Sequence, residues 1–438
     1  MSTRRVFIKK GALATAGLGF AMSASSYRSV LGANDRITMC FMGLGRRVGG
    51  YYSVLPKAFN TRLSYLCDVK GSQVLQAQKS IANQIDYEVK VDEDIRKILE
   101  DKKLDLVFIA TPDHWHAPAT IMALDAGKHV FVEKPCAHNP REAEIMVARQ
   151  QETGLHVQMG NQQRSSQHTI QIIGEIQNGI IGKPYKAVAI YNNQRGPVPN
   201  QVKQAPPEDL NWDLFQGPAP RQPYYHNIWD YNWHWYGWKW GTAEAGNNAV
   251  HELDIARWAL GVDFPTTVFT DASKQHYIDD GWEMYDTMQA TFQFEGNKSI
   301  VWDGKSRNGY NTYGAGRGTL IYGTEGTVFV DRAKFMVYDR QGKVVKESTT
   351  VSNESGLALG GGGSATTRHI ANLLETIRGK ETLNAPIEDA SKSNHLALLA
   401  NIAYRVKKPI SLNSTNGKST DAEVNKLWSR TYEKGWEI

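Results

Sequence analysis

Apolar positions fall into short runs that alternate with helix-length stretches over the first third of the chain. Ile37–Met42, Leu63–Cys67, Leu104–Ala110 and Lys128–Val132 have strand length and near-continuous hydrophobicity, the pattern of strands covered on both faces. Val48–Leu55 can open a helix after the first run, and Ala117–Ala126 forms one between the third and fourth. Such alternation predicts an α/β domain over residues 34–155, built on a doubly wound parallel sheet. The pattern then changes. Val157–Gly160 runs into the polar Asn161-Gln162-Gln163-Arg164, and Tyr185–Tyr191, Thr267–Ala272, Thr287–Phe294, Lys298–Asp303, Gly318–Tyr322 and Thr327–Asp331 read as strands, with few helices between them after Gly261. They predict an α+β domain over residues 156–438 with a largely antiparallel sheet open on one face. Gly360–Gly363 reads as a flexible loop before a helix at Thr366–Arg378. A last helix, Ser391–Val406, carries Leu396, Leu399, Ile402 and Ala403 on one face and reads as amphipathic. Two domains also suit the length, since one core rarely grows beyond about 250–300 residues.

The first residues have a separate logic. Arg4-Arg5, Phe7 and Lys9 precede an apolar run from Gly11 to Met22, too short for the ~20 residues that span a bilayer. This predicts a twin-arginine signal over residues 1–33, read by the twin-arginine export machinery and leading to the periplasm. No stable membrane anchor is then expected, and small residues at Ala21–Ser26 and Gly32-Ala33 leave several cleavage points open. The chain nets +5, and five basic residues with no acid lie in 1–33, so the remainder is balanced. Such balance gives no reason to expect a nucleic-acid or anionic-membrane partner. The only cysteines are Cys40, Cys67 and Cys136, with the first two in buried runs, so no disulfide framework is expected.

Candidate chemistry gathers at the ends of the first-domain strands. Gly43-Leu44-Gly45 closes the first, where one glycine permits a tight turn and the next lets backbone approach a pyrophosphate. Val48 occupies the place of the usual third glycine. Asp68 ends the second strand, where an acid accepts ribose hydroxyls and repels a 2′-phosphate, so NAD is favoured. NADP stays open, because Arg46 and Arg47 can hold such a phosphate, neutralise the pyrophosphate, or simply be solvated. Thr111, His116 and Lys134 stand at later strand ends and should face one cleft. His114 and His116 lack a third ligand at metal spacing, so no metal site is expected.

These motifs resemble the Gfo/Idh/MocA oxidoreductases, named for glucose–fructose oxidoreductase and inositol dehydrogenase. The resemblance spans about residues 36–412. It rests on Gly43-x-Gly45, Asp68, Thr111-Pro112-Asp113-x-x-His116, the run Ala126–Pro135 with Glu133-Lys134-Pro135, and Gly246–Asp254. It implies that Lys134 contacts the reacting hydroxyl and that His251 is the general acid/base. Cofactor contacts are implied for the glycine turn with Arg46 and Arg47, for Asp68, for Thr111, Pro112 and His116, and for Glu133 and Lys134. The polar run ending at Arg164 is implied near nicotinamide and substrate. Many members carry an aspartate four residues before the histidine; here it is Asn247, and Asp254 is a candidate to supply the missing charge, with a helix contact to Arg257 as the alternative. Nine of the seventeen residues in Tyr224–Trp240 are Trp or Tyr, a composition suited to pyranose faces or to a packed loop, with His234 and Trp235 chosen as substrate contacts. The resemblance also implies a dimer or tetramer. The expected function is an exported NAD-dependent oxidoreductase acting on a ring hydroxyl of a sugar or glycoside. Redox-neutral glycoside cleavage and a noncatalytic sugar-binding protein are the alternatives.

Overall fold

The first apolar run forms strand β1 (Ile37–Met42), almost wholly buried. With β2 (Thr61–Cys67), β3 (Lys90–Asp92), β4 (Leu106–Ile109), β5 (His129–Val132) and β6 (Val157–Met159) it builds a six-stranded sheet in the order β3-β2-β1-β4-β5-β6. Every pairing is parallel. Strand order reverses between β1 and β4, the switch point at whose carboxyl ends such sheets bind ligands. This computed structural model describes residues 35–348 and 364–438. The twin-arginine run, its cleavage points and the Gly360–Gly363 loop lie outside the described residues.

The element after the glycine turn differs from expectation. Val48–Val54 is a 3₁₀ helix rather than an α-helix. Gly49 and Gly50 are poor helix formers, Pro56 stops extension, and the short turn is tied down because Tyr51 is fully buried among Phe41, Phe108 and Phe131.

The second sheet has nine strands, β7 (Pro184–Asn192), β8 (Thr267–Ser273), β9 (Thr287–Phe294), β10 (Lys298–Lys305), β11 (Arg317–Gly323), β12 (Gly326–Val330), β13 (Phe335–Asp339), β14 (Val344–Glu347) and β15 (Ile410–Ser411). Their order is β14-β13-β12-β11-β7-β10-β9-β8-β15, antiparallel throughout except between β7 and β10. The last three strands carried no sequence expectation. Asp-Arg-Gln-Gly-Lys turns β13 into β14, and β14 forms a mostly exposed edge.

The last long helix corrects a second expectation. It spans Ile387–Val406 and is buried on nearly every side, Ser393 and Asn394 included, rather than amphipathic. It packs against β8 and the helix Val250–Leu260 on one side and the helix Pro140–Thr153 on the other. Inserted between the two sheets' layers, it has no solvent face to keep polar. No described helix is long and apolar enough to cross a membrane. Leu399 is 0% exposed at this junction. Leu399→Ala is expected to cost about 2–5 kcal/mol in urea unfolding, through lost transfer energy and a residual cavity.

Candidate active site

Gly43 adopts φ 85°, and a Cβ there would lie 2.6–2.7 Å from the Ala110 carbonyl and the Thr111 nitrogen. The turn therefore packs directly on the end of β4, and only glycine fits. Nothing lies within 4 Å of where a Gly45 Cβ would stand, so backbone is open to a ligand on that side. Asp68 accepts Leu44 N–H at 2.6 Å and Lys70 N–H at 2.8 Å, which fastens its carboxylate to the turn while it lines the cavity. Burial pushes its pKa up to about 6, against the pull of those amides. The Thr111 hydroxyl is buried with no hydrogen-bond partner among the described residues and lies in the same wall. An open glycine cradle, an acid on the next strand and an orphaned hydroxyl fit a dinucleotide.

The two arginines after the turn are already engaged. Arg47 Nε donates to Glu133 Oε1 at 2.6 Å, and the Tyr51 hydroxyl donates to the same oxygen at 3.1 Å. Burial opposes the Glu133 charge, yet the guanidinium outweighs it and holds the carboxyl below its ordinary range. Glu133 thus clamps the glycine turn to the end of β5. Arg46 reaches Asp230 at 3.3 Å and stands 4.9 Å above the Tyr231 ring.

Lys134 and His251 meet from opposite domains. Lys134, followed by a cis bond to Pro135, sends Nζ to the Asn247 carbonyl oxygen, with Asn247 Oδ1 at 3.4 Å. Burial lowers its pKa to about 8, against the attraction of Glu133 and Asp113. Asn247 sits in a π-helical turn, Ala245–Ala249, that runs into the helix Val250–Leu260. π-turns of this kind are frequent at functional sites. The Asn247 amide nitrogen lies 3.3 Å from both Glu244 Oε1 and the Tyr231 hydroxyl, so Glu244 supplies the nearby negative charge. His251 lines the same cavity, and its ring is hydrogen-bonded to no described residue. Burial drives its pKa well below the usual value, and Arg332, Lys134, Arg317 and Arg47 push it further down. A proton on His251 would join four cations.

The structure brings Gly43, Gly45, Arg46, Arg47, Asp68, Thr111, Pro112, His116, Glu133, Lys134, His234, Asn247 and His251 onto one cavity of about 920 Å³, within the range of small-molecule sites. His116 is held as a strut, its two ring nitrogens 2.6 Å from the Pro135 oxygen and 2.8 Å from the Thr111 oxygen. His114 turns away to the Phe215 carbonyl, and burial lowers its pKa to about 3.

Three candidate substrate contacts are corrected. Arg164 and Asp254 form a bidentate pair at 2.8 Å, exposed by 7% and 1%, and neither reaches the cavity. Ser393 donates to the same aspartate and Asp389 joins the arginine, so the charges tie the helix Ile387–Val406 to the helix Val250–Leu260. Asp254 therefore supplies no charge to His251, and Arg257 pairs instead with Asp263 and Asp389. Trp235 stacks on Trp282 at 4.0 Å in the core, while Trp229, Tyr231 and Trp233 line the cavity in its place. Tyr191, Arg195, Arg317 and Arg332 also line it. No motif marked them, because β7, β11 and β12 become neighbours only through long-range pairing.

Residues 40–161 match the oxidoreductase family with an NAD-binding Rossmann fold, and residues 171–438 match its C-terminal alpha/beta domain. The chain belongs to the Gfo/Idh/MocA oxidoreductase family. Its first domain is an NAD-binding Rossmann domain. Aldose-aldose oxidoreductase from Caulobacter crescentus, solved with glycerol, shares the fold at a TM-score of 0.63 and 18% identity, over 86% of this chain and 100% of that one. Levoglucosan dehydrogenase, solved with NADH and levoglucosan, does so at 0.66 and 17%, over 86% and 99%. Glycosyl hydrolase family 109 protein 1 of Shewanella sp. (strain MR-4) is 26% identical over 208 residues, 43% of this chain and 45% of its own length. The match thus spans less than half of that curated relative.

Removing one member of the buried Arg164–Asp254 pair leaves an uncompensated charge, so this oxidoreductase should lose about 3–5 kcal/mol in Arg164→Ala. Denaturant unfolding would measure the loss. Nucleotide content per folded molecule should not change, since neither group touches the cavity.

Proposed function

We propose that the protein oxidises a ring hydroxyl of a sugar or glycoside and is exported to the periplasm with its nicotinamide cofactor already bound. The observation that carries this reading is the meeting of Lys134, Asn247 and His251 on a cavity that begins at the Gly43–Asp68 nucleotide wall and ends among flat aromatic rings. When bound, NAD⁺ supplies the hydride acceptor. Gly43 and Gly45 would let the backbone approach its pyrophosphate, and Asp68 would accept its ribose hydroxyls. Trp229, Tyr231 and Trp233 offer rings to the apolar face of a pyranose.

Lys134 exchanges the proton of the reacting hydroxyl, and neutral His251 positions the same oxygen. This reverses the roles implied by resemblance. A general base works best with a pKa near working pH, and Lys134 at about 8 meets that condition. His251, crowded by cations, does not. Asn247 cannot take a proton, but its two oxygens hold the Lys134 ammonium in line.

Kinship to a glycosyl hydrolase supports a second reading, net cleavage without net redox. A ring ketone acidifies the neighbouring C–H; loss of that proton expels the aglycone, water adds to the alkene, and returned hydride restores the alcohol. Free sugar released without accumulated NADH favours cleavage, while a stable keto-glycoside favours oxidation.

Because the base must be neutral, kcat/KM for oxidation should rise with pH through about 8, the Lys134 value. Lys134→Met should lower kcat about 10²–10⁴-fold and flatten that limb, measured as a pH–rate profile. Trp233→Ala should raise KM about 2–10-fold with little change in kcat, whereas Trp235→Ala should lower the melting temperature. Fractionation of cells should find the protein in the periplasm and find Arg4→Lys/Arg5→Lys retained in the cytoplasm.

A further inference from the structure

The cavity wall built by the second sheet holds more positive charge than a neutral sugar needs. Arg195 follows β7, Arg317 opens β11 and Arg332 follows β12, and all three line the cavity beside Lys134 and His251. Arg317 binds Glu252 through Nε at 2.7 Å and Nη2 at 2.8 Å, and Arg195 pairs with Glu244 at 3.1 Å. The acids stand behind the arginines: Glu252 and Glu244 are 1% and 3% exposed and line no part of the cavity, whereas the Arg317 and Arg195 side chains are 23% and 18% exposed. Nη1 of Arg317 and Nη1 of Arg195 hydrogen-bond to no described residue and are not buried. Tyr191 joins the two guanidiniums, its hydroxyl 3.3 Å from Arg195 Nη2 and its ring 5.2 Å from Arg317.

The cofactor's pyrophosphate does not account for this wall, since the glycine turn belongs to the first sheet. Asp331, next to Arg332, turns its carboxylate to the backbone N–H groups of Ala333 and Lys334 at 2.7 and 2.9 Å. Burial pushes the Arg332 pKa down to about 9, with Arg317 and Arg47 adding to the shift and Glu252 opposing it.

We propose that the substrate is a sugar carrying an anionic group, a carboxylate or a phosphate, and that Arg195, Arg317 and Arg332 hold that group while the ring lies against the aromatic wall. Guanidinium forks suit both oxyanions, and desolvation strengthens such charge-assisted bonds. The inference rests on the sugar-oxidoreductase reading of the same cavity.

The test is calorimetric binding of D-glucuronate, D-glucose 6-phosphate and D-glucose to the purified holoprotein, with nicotinamide absorbance followed in parallel. One of the two anionic sugars should bind at least about tenfold more tightly than glucose, and which one identifies the oxyanion. Added salt should shrink that advantage. Arg332→Gln should cut the preference about tenfold. Arg317→Lys, which keeps a cation opposite Glu252 and so protects folding, should cut it too. Equal binding of glucose and the anionic sugars, binding of none of them, or a preference untouched by both variants overturns the proposal. Glucose reducing the cofactor with no anionic preference removes this inference and leaves the oxidoreductase reading. Anionic preference lost in the variants with no absorbance change supports the arginine wall and removes the oxidoreductase reading.

Discussion

A lysine ammonium taken out of water organises this molecule. Lys134 comes from the end of β5 and is satisfied by the backbone and side chain of Asn247, which belongs to the second domain. A buried cation without partners costs several kcal/mol, so the bond fixes where the π-turn Ala245–Ala249 must sit. His251 follows one turn later and inherits its place. The chemistry therefore lies at the seam between two sheets and belongs to neither alone.

The surroundings of that ammonium are arranged by charge. Glu133 and Arg47 neutralise each other on the nucleotide side, and Glu244 with Arg195 and Glu252 with Arg317 do so on the other. Each pair ties a loop to a strand end or a helix. Burial, with Arg317 and Arg332 adding their repulsion, accounts for a neutral histidine beside a lysine of lowered pKa. The Arg164–Asp254 pair follows the same physics away from the cavity, where it binds the Ile387–Val406 helix to the Val250–Leu260 helix.

The nucleotide wall is also tied to the second domain. The segment from Asp209 to Asp230 crosses to the first domain through Lys70–Asp209 at 2.5 Å, Arg46–Asp230 at 3.3 Å and a bridge between Lys70 and Leu210. The Lys70 ammonium also sits 4.6 Å above the Trp229 ring. The aromatic run is thus both a wall of the cavity and a strap beside Asp68.

The parallel, doubly wound first sheet, its glycine turn, and Asp68 and Lys134 at strand ends were legible in the sequence because local signals carry them, while His251 was marked by the family resemblance. Buried parallel strands read as unbroken apolar runs, glycine reports a turn, and strand ends face the cleft by topology. The rest depended on long-range packing. Trp235 and Trp233 have the same local composition, and only the fold sends one into the core and the other to the cavity. Arg164 and Asp254 looked like substrate contacts because polar residues beside a site resemble those that build it. Arg195, Arg317 and Arg332 lie up to 137 positions apart in sequence and share a wall only because β7, β11 and β12 pair. Sequence determines what can be buried and where the chain turns; which charges meet is decided by tertiary structure, since Coulomb energy depends on distance in space and on exclusion of water, and neither is written along the chain.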